Sequence, residues 1–168
     1  MSFLAVLLLA STLVYQAPEG WNAARSTSRM RLAQWELPGD GSDSVEVVIF
    51  FFGEGGGGGV KANLERWFGQ FEQPDGSSTR DSATITEKND GDLRLTIADM
   101  RGTFVAPVRP GVEERNNRPG YRLIAAVVEG RGGPWYFRAL GPEGTVEKWA
   151  SSIDAFLGSM SLATTMEH

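Results

Sequence analysis

The chain has 168 residues, 41% hydrophobic and 22% charged, with 21 Asp and Glu against 16 Lys and Arg, a net charge of −5. That length suits one domain able to hold its own core. The acidic balance argues against a nucleic-acid binder and against a polybasic membrane-surface protein, both of which need a cationic field. With no cysteine and one histidine, His168, the composition leaves out disulfides, zinc thiolates, iron–sulfur clusters, thiol nucleophiles and a lipid anchor through cysteine, and offers no internal histidine for serine–histidine or histidine–zinc chemistry.

The first element is the apolar stretch Phe3–Val14, broken only by Ser11 and Thr12. It is shorter than the roughly 20 residues that span a bilayer core. It suits the apolar region of a secretory signal, although no Lys or Arg precedes it and Leu8 and Ala10 make a weak cleavage site. The alternatives are a buried first strand or a start that truncates a longer signal. The expectation is a signal-like segment at 1–10, one domain at 11–161 and a C-terminal tail at 162–168. The mature chain is then extracytoplasmic, periplasmic or secreted, without an integral membrane span; the alternative is a cytoplasmic protein.

Thr12–Gln16 is a short β-like run closed by the turn cluster Ala17-Pro18-Glu19-Gly20. Arg29–Leu37 alternates in polarity and predicts a strand, and Pro38–Asp43 a turn. Val45–Phe52 is apolar on both parities apart from Glu46, which predicts an interior strand buried on both faces. After Gly53-Glu54 and the five glycines Gly55–Gly59, Val60, Leu64, Trp67, Phe68 and Phe71 form one stripe of an amphipathic helix. Gln73-Pro74-Asp75-Gly76 ends it. Ala83, Ile85, Leu93, Leu95 and Ile97 flank Asn89-Asp90-Gly91 and predict a hairpin whose outer face carries Thr84, Thr86, Arg94 and Thr96. Ala106–Pro119 reads as a long exposed loop. Tyr121–Val128 predicts a second interior strand, and Trp135–Leu140 its antiparallel return. Pro142 is expected at the first position of a last helix, striped by Val146, Trp149, Ile153, Phe156, Leu157 and Met160. The fold class is α+β, a mostly antiparallel sheet with packed helices in the order β-β-β-α-β-β-β-β-α.

Several motifs carry a resemblance. Ala17-Pro18-x-Gly20-Trp21, the Phe-rich strand before a Trp-containing helix, and the closing strand–Gly141-Pro142–helix ending near Phe156 resemble the PsbP-like fold. That fold is shared by a photosystem II accessory subunit, a eukaryotic Ran-GTPase-binding protein and many bacterial exported proteins. Met30-Arg31-Leu32-Ala33-Gln34-Trp35 and Gln70-Phe71-x-Gln73-Pro74-Asp75-Gly76 are similar to a group of uncharacterised bacterial exported proteins. These motifs are turns and core aromatics. The resemblance implies a fold and no site residue.

The glycine run between strand and helix has the layout of a phosphate cradle. It lacks the Gly-Lys-Ser/Thr of a nucleotide loop, since Gly59 is followed by Val60-Lys61-Ala62. The expectation is a flexible connection without useful nucleotide affinity, with weak anion binding as the alternative. Asp40, Asp43, Asp90 and Asp92 lie in turns without calcium-loop spacing. Glu46, Glu65 and Glu72 are expected to be solvated or at an edge. Trp135 and Phe137 are expected in the core; Tyr136, beside Arg138, is the candidate for an exposed aromatic patch. Arg101, Arg109, Arg115, Arg118, Arg122, Arg131 and Arg138 concentrate positive charge in an acidic chain, a recognition surface for an acidic partner or, with Glu113, Glu114 and Glu129 interspersed, ordinary surface charge.

No catalytic, cofactor-binding or metal-binding residue is assigned, and no cofactor is expected. The candidate partner-binding residues are Arg109, Arg115, Arg118, Tyr136 and Arg138, on the Ala106–Pro119 loop with the turn Gly130–Pro134 and the strand after it. The reading favours a non-enzymatic exported accessory or binding domain with another protein as partner. The alternative is a carboxylate- or serine-dependent hydrolase or transferase.

Overall fold

The computed structural model describes residues 8–26 and 28–167, and side chains over 11–26 and 28–163. Strands β1 (Leu8–Val14), β2 (Asn22–Ala23), β3 (Arg31–Pro38) and β4 (Ser44–Phe50) come first, followed by helix α1 (Gly59–Phe68). Then come β5 (Phe71–Glu72), the single turn α2 (Thr79–Ser82), β6 (Thr84–Asp90), β7 (Leu93–Phe104), β8 (Arg118–Glu129), β9 (Trp135–Pro142), α3 (Glu143–Gly158) and β10 (Ser161–Glu167). The main sheet runs β2-β3-β4-β9-β8-β7-β5, with β6 also paired to β7, and all its pairings are antiparallel. β4 and β8 are interior strands, as runs apolar on both parities require.

Each face of the sheet has its own core. Val45, Val47 and Ile49 of β4, Phe137 and Ala139 of β9, and Ile124, Ala126 and Val128 of β8 face α3, which contributes Val146, Ile153, Phe156 and Leu157. Trp21 and Trp35 complete this layer around Phe156. On the other face Leu123, Ala125 and Val127 of β8 and Ala98 and Met100 of β7 meet Trp67 of α1. A fully buried side chain of this kind stabilises by about 1.5–3 kcal/mol. Two covered faces explain why the interior strands carry almost no polar side chain.

Four local features depart from the sequence reading. β1 pairs with β10 from Leu8↔Glu167 to Val14↔Ser161, so the boundary drawn after Ala10 and the tail drawn from Leu162 both run through one ladder; 1–7 and 168 lie outside the described residues. Helix α1 stops at Phe68, where Gly69 caps it, and Phe71 instead pairs with Phe104. Pro142 is the last residue of β9, opposite Tyr121, with φ −54° and ψ 138°; it caps α3 and is not its first turn. The Gly91-Asp92 turn sets a register with Thr86 opposite Ile97 and Ile85 opposite Ala98. Thr84 and Thr86 therefore do not share a face with Thr96. Thr96 is buried and Ile85 is exposed, because β6 has a neighbour on one side only, whereas β7 is flanked on both.

Candidate functional site

The site begins with the glycine run. Gly53, Gly55, Gly57, Gly58 and Gly59 all adopt left-handed φ, and Gly58 caps α1 without any side-chain hydrogen bond. Two side chains replace the missing cap. The Tyr136 hydroxyl donates to Gly56 O at 2.8 Å and accepts from Gly59 N–H at 3.1 Å. The buried Asn63 amide donates to Gly57 O at 2.8 Å and Gly59 O at 2.6 Å, while its Oδ1 accepts from Arg66 Nη1 at 3.0 Å. The run is therefore a shaped loop pinned at both ends. Asn63 escaped the sequence reading because it is a polar residue within the apolar stripe, four residues before Trp67.

The pinned loop fixes α1 across the strand that carries Tyr136 and Arg138. On β9, Tyr136, Arg138 and Leu140 point to the α1 face, and Trp135, Phe137 and Ala139 point to the α3 face. Trp135 and Phe137 are core residues, as expected. Tyr136 is buried too, and its role is to hold the loop; it is not part of an exposed patch. Arg138 is half-buried at the centre of the sheet, opposite Val48 on one side and Ala125 on the other.

Next to Arg138 opens a cleft of about 640 Å³. One wall is the end of α1 with Glu65, Arg66, Gly69 and Gln70; the other is the segment after β7, with Pro107, Val108, Arg109, Pro110 and Arg115. Arg31, Phe50, Phe104 and Arg138 complete the lining. A smaller recess of about 180 Å³ continues from it toward Phe52, Trp67 and Tyr136. The wall after β7 is more ordered than a loop. Pro107 bridges Arg115, Val108 N–H donates to Glu114 O at 2.9 Å, and both Asn116 amides reach Ala106 O at 2.9 Å. It is a small hairpin arm.

Five guanidiniums line this cleft in a chain of net charge −5. Arg31 pairs with Glu46 at 3.4 Å and lies over the Phe50 ring. Glu65 is engaged by Arg80. Among the described residues Arg66, Arg109, Arg115 and Arg138 make no ion pair. Arg138 lies over the Phe104 ring at 5.7 Å, and its Nε is buried without a hydrogen-bond partner, as is Gln70 Oε1 in the same cleft. Burial pushes the Arg138 guanidinium down from its ordinary value; the Glu46 charge opposes this and Arg31 adds to it. A desolvated cation without a counter-charge is costly.

The other expected arginines lie elsewhere. Arg118 stacks on Tyr121 beside the arm and donates to its hydroxyl at 3.1 Å. Arg122 is buried on the α3 face, with Nε and Nη2 on Asp99 at 2.9 and 2.7 Å and Nη1 on Glu147 at 2.7 Å. Those hydrogen bonds, Asp99 first, hold the guanidinium's pKa above its ordinary value against burial. Arg101 pairs with Glu143 at 2.8 Å. The carboxylates gathered on this face are thus neutralised as ionic ties between α3 and the sheet. The turn after β8, with Arg131, lies at the far end of that strand from the arm, roughly 35 Å away at about 3.3 Å per residue. It does not share a surface with Arg109 and Arg115. The cleft unites Arg109, Arg115 and Arg138 with Arg31 and Arg66, which no sequence window connects.

No helix among the described residues is long and apolar enough to cross a membrane. No family model and no curated protein matches the chain. Among solved structures it is similar to cyanobacterial PsbP (CyanoP) from Synechocystis sp. PCC 6803, at 12% identity and a TM-score of 0.50, covering 97% of this chain and 98% of that one. At that identity the likeness speaks for the fold alone: an antiparallel sheet, helices on both faces and the chain order described above make this a PsbP-like α+β fold.

Proposed function

We propose that the protein is a non-enzymatic accessory or binding domain that works outside the cytoplasm and engages a partner protein through the arginine cleft. The observation that carries this reading is Arg138, a guanidinium on an interior strand whose Nε is buried and unpartnered and which has no ion pair among the described residues. The Phe104 ring contact offsets part of the cost of burying that guanidinium, and a bound anion offsets the rest. The apolar stretch Phe3–Val14 suits a secretory signal, although Leu8–Val14 of it pairs with β10 in the fold, and intact-mass analysis of protein from its native host checks export: a chain that keeps Met1 and stays in the cytoplasm overturns the location.

The test of function compares proteins co-purifying with the wild-type chain and with an Arg109→Ala/Arg115→Ala variant. Both arginines are exposed, so the melting temperature is expected to stay nearly unchanged, while recovery of the specific partner is lost. Equal recovery with both chains removes the cleft as the working surface.

A further inference from the structure

We infer that the arginine cleft is a receptor for an extended acidic peptide segment of the partner, anchored on Arg138. This rests on the binding-domain reading above and adds the chemistry of the ligand. Charge is the first support. Arg66 on one wall and Arg109 and Arg115 on the other have no ion pair among the described residues; Glu65 and Glu46 are already held by Arg80 and Arg31, and Glu113 and Glu114 on the arm are exposed and reach none of these arginines. A carboxylate-bearing ligand supplies the missing counter-charge, and guanidiniums on two opposed walls suit carboxylates spaced along a chain.

Shape is the second. The cleft is an open trough in which exposed Val108 and the half-buried Phe50 present apolar surface between the arginines, over a floor of buried Phe104. A compact oxyanion makes no use of that surface; a segment mixing acidic with apolar side chains uses both. The third support is hydrogen bonding. Among the described residues Arg138 Nε is a buried donor and Gln70 Oε1 a buried acceptor without a hydrogen-bond partner. Both atoms are closed to solvent, so a peptide carboxylate meets Arg138 at its terminal guanidinium nitrogens, which face the cleft, and supplies the charge that Nε lacks inside the sheet.

The experiment is fluorescence anisotropy on the full chain with a short fluorescein-labelled peptide of Asp and Glu mixed with Leu and Phe. The comparison peptide replaces the acids with Asn and Gln, and sodium phosphate serves as competitor. The acidic peptide is expected to bind saturably, tighter than its amide counterpart by about tenfold or more, and to weaken as salt rises. Arg138→Gln is expected to weaken it by a similar factor, and Arg138→Lys not to restore it, because an ammonium lacks the planar fork. Equal affinity for the two peptides, full displacement by phosphate in large preference to matched sodium chloride, or wild-type affinity in folded Arg138→Gln overturns the inference. If Arg138→Gln does not fold, Arg109→Ala/Arg115→Ala carries the same comparison. Partner recovery that depends on Arg109 and Arg115 without any binding of the acidic peptide overturns the ligand class and leaves the binding-domain reading standing.

Discussion

The ring of Tyr136 occupies the space a side chain on Gly57 would need: a Cβ there would stand 2.3 Å from Tyr136 Cε2. The same tyrosine caps the start of α1 through its hydroxyl. Loop, helix and strand are therefore locked by one residue, and the cleft wall built on α1 inherits that rigidity. Gly57→Ala is expected to destabilise by about 2–4 kcal/mol, from the overlap and from its φ of 88°. Tyr136→Phe keeps the ring and strands two backbone groups, at about 1–2 kcal/mol. Urea unfolding ranks the two; a Gly57→Ala chain as stable as wild type contradicts the packing.

Arg122 ties α3 to the sheet through Asp99 and Glu147, and the two partners differ in exposure, with 26% and 70% of their side-chain surface accessible. Asp99→Ala leaves a buried guanidinium short of its bidentate partner and is expected to cost about 2–3 kcal/mol. Glu147→Gln removes a mostly solvated charge and is expected to cost less than about 1 kcal/mol. Thermal unfolding of the two variants checks the order, and reversal of that order refutes the assignment.

Phe156 is fully buried and touches Tyr15, Trp21, Trp35 and Phe137, with ring centroids 4.7–5.7 Å apart. Its aromatic neighbours cannot all collapse into the space it leaves. Phe156→Ala is expected to destabilise by about 3–5 kcal/mol, read from the denaturant midpoint. A loss below about 1 kcal/mol is incompatible with this packing.

Burial raises the phenol of Tyr15 above its ordinary value of 10.0. The folded state then holds this proton more tightly than the unfolded chain. The associated stability is fully present below pH 10.0 and is lost as pH rises through the raised folded value. Tyr15→Phe removes the ionisation while keeping the ring against Trp35 and Phe156. Urea midpoints followed upward from pH 9 are expected to fall more steeply for wild type than for Tyr15→Phe. Parallel curves rule out Tyr15 as the source.

Much of the sheet was legible because two-sided burial writes itself into adjacent residues. Val45–Phe52 and Tyr121–Val128 are apolar on both parities and could only be interior strands. The α3 stripe likewise emerged at Val146, Ile153, Phe156 and Leu157. The hairpin at Gly91 was visible while its register was not, since one residue of turn decides which face Thr86 and Thr96 take.

The arginine cleft lay beyond sequence reasoning for a different physical reason. Arg109 and Arg115 were marked by charge, and Arg138 by its aromatic neighbours. Composition could not separate them from Arg101 and Arg122, whose charges Glu143, Asp99 and Glu147 neutralise. Whether a charge is free depends on what stands within a few ångströms, and those neighbours come from distant parts of the chain. The sequence by itself determined the interior strands β4 and β8, the stripes of α1 and α3 and the acidic balance, because local periodicity records burial. Only the tertiary structure decided which guanidiniums lack an ion pair among the described residues, because it brings Arg66 and Arg138 from α1 and β9 to one opening with Arg109 and Arg115.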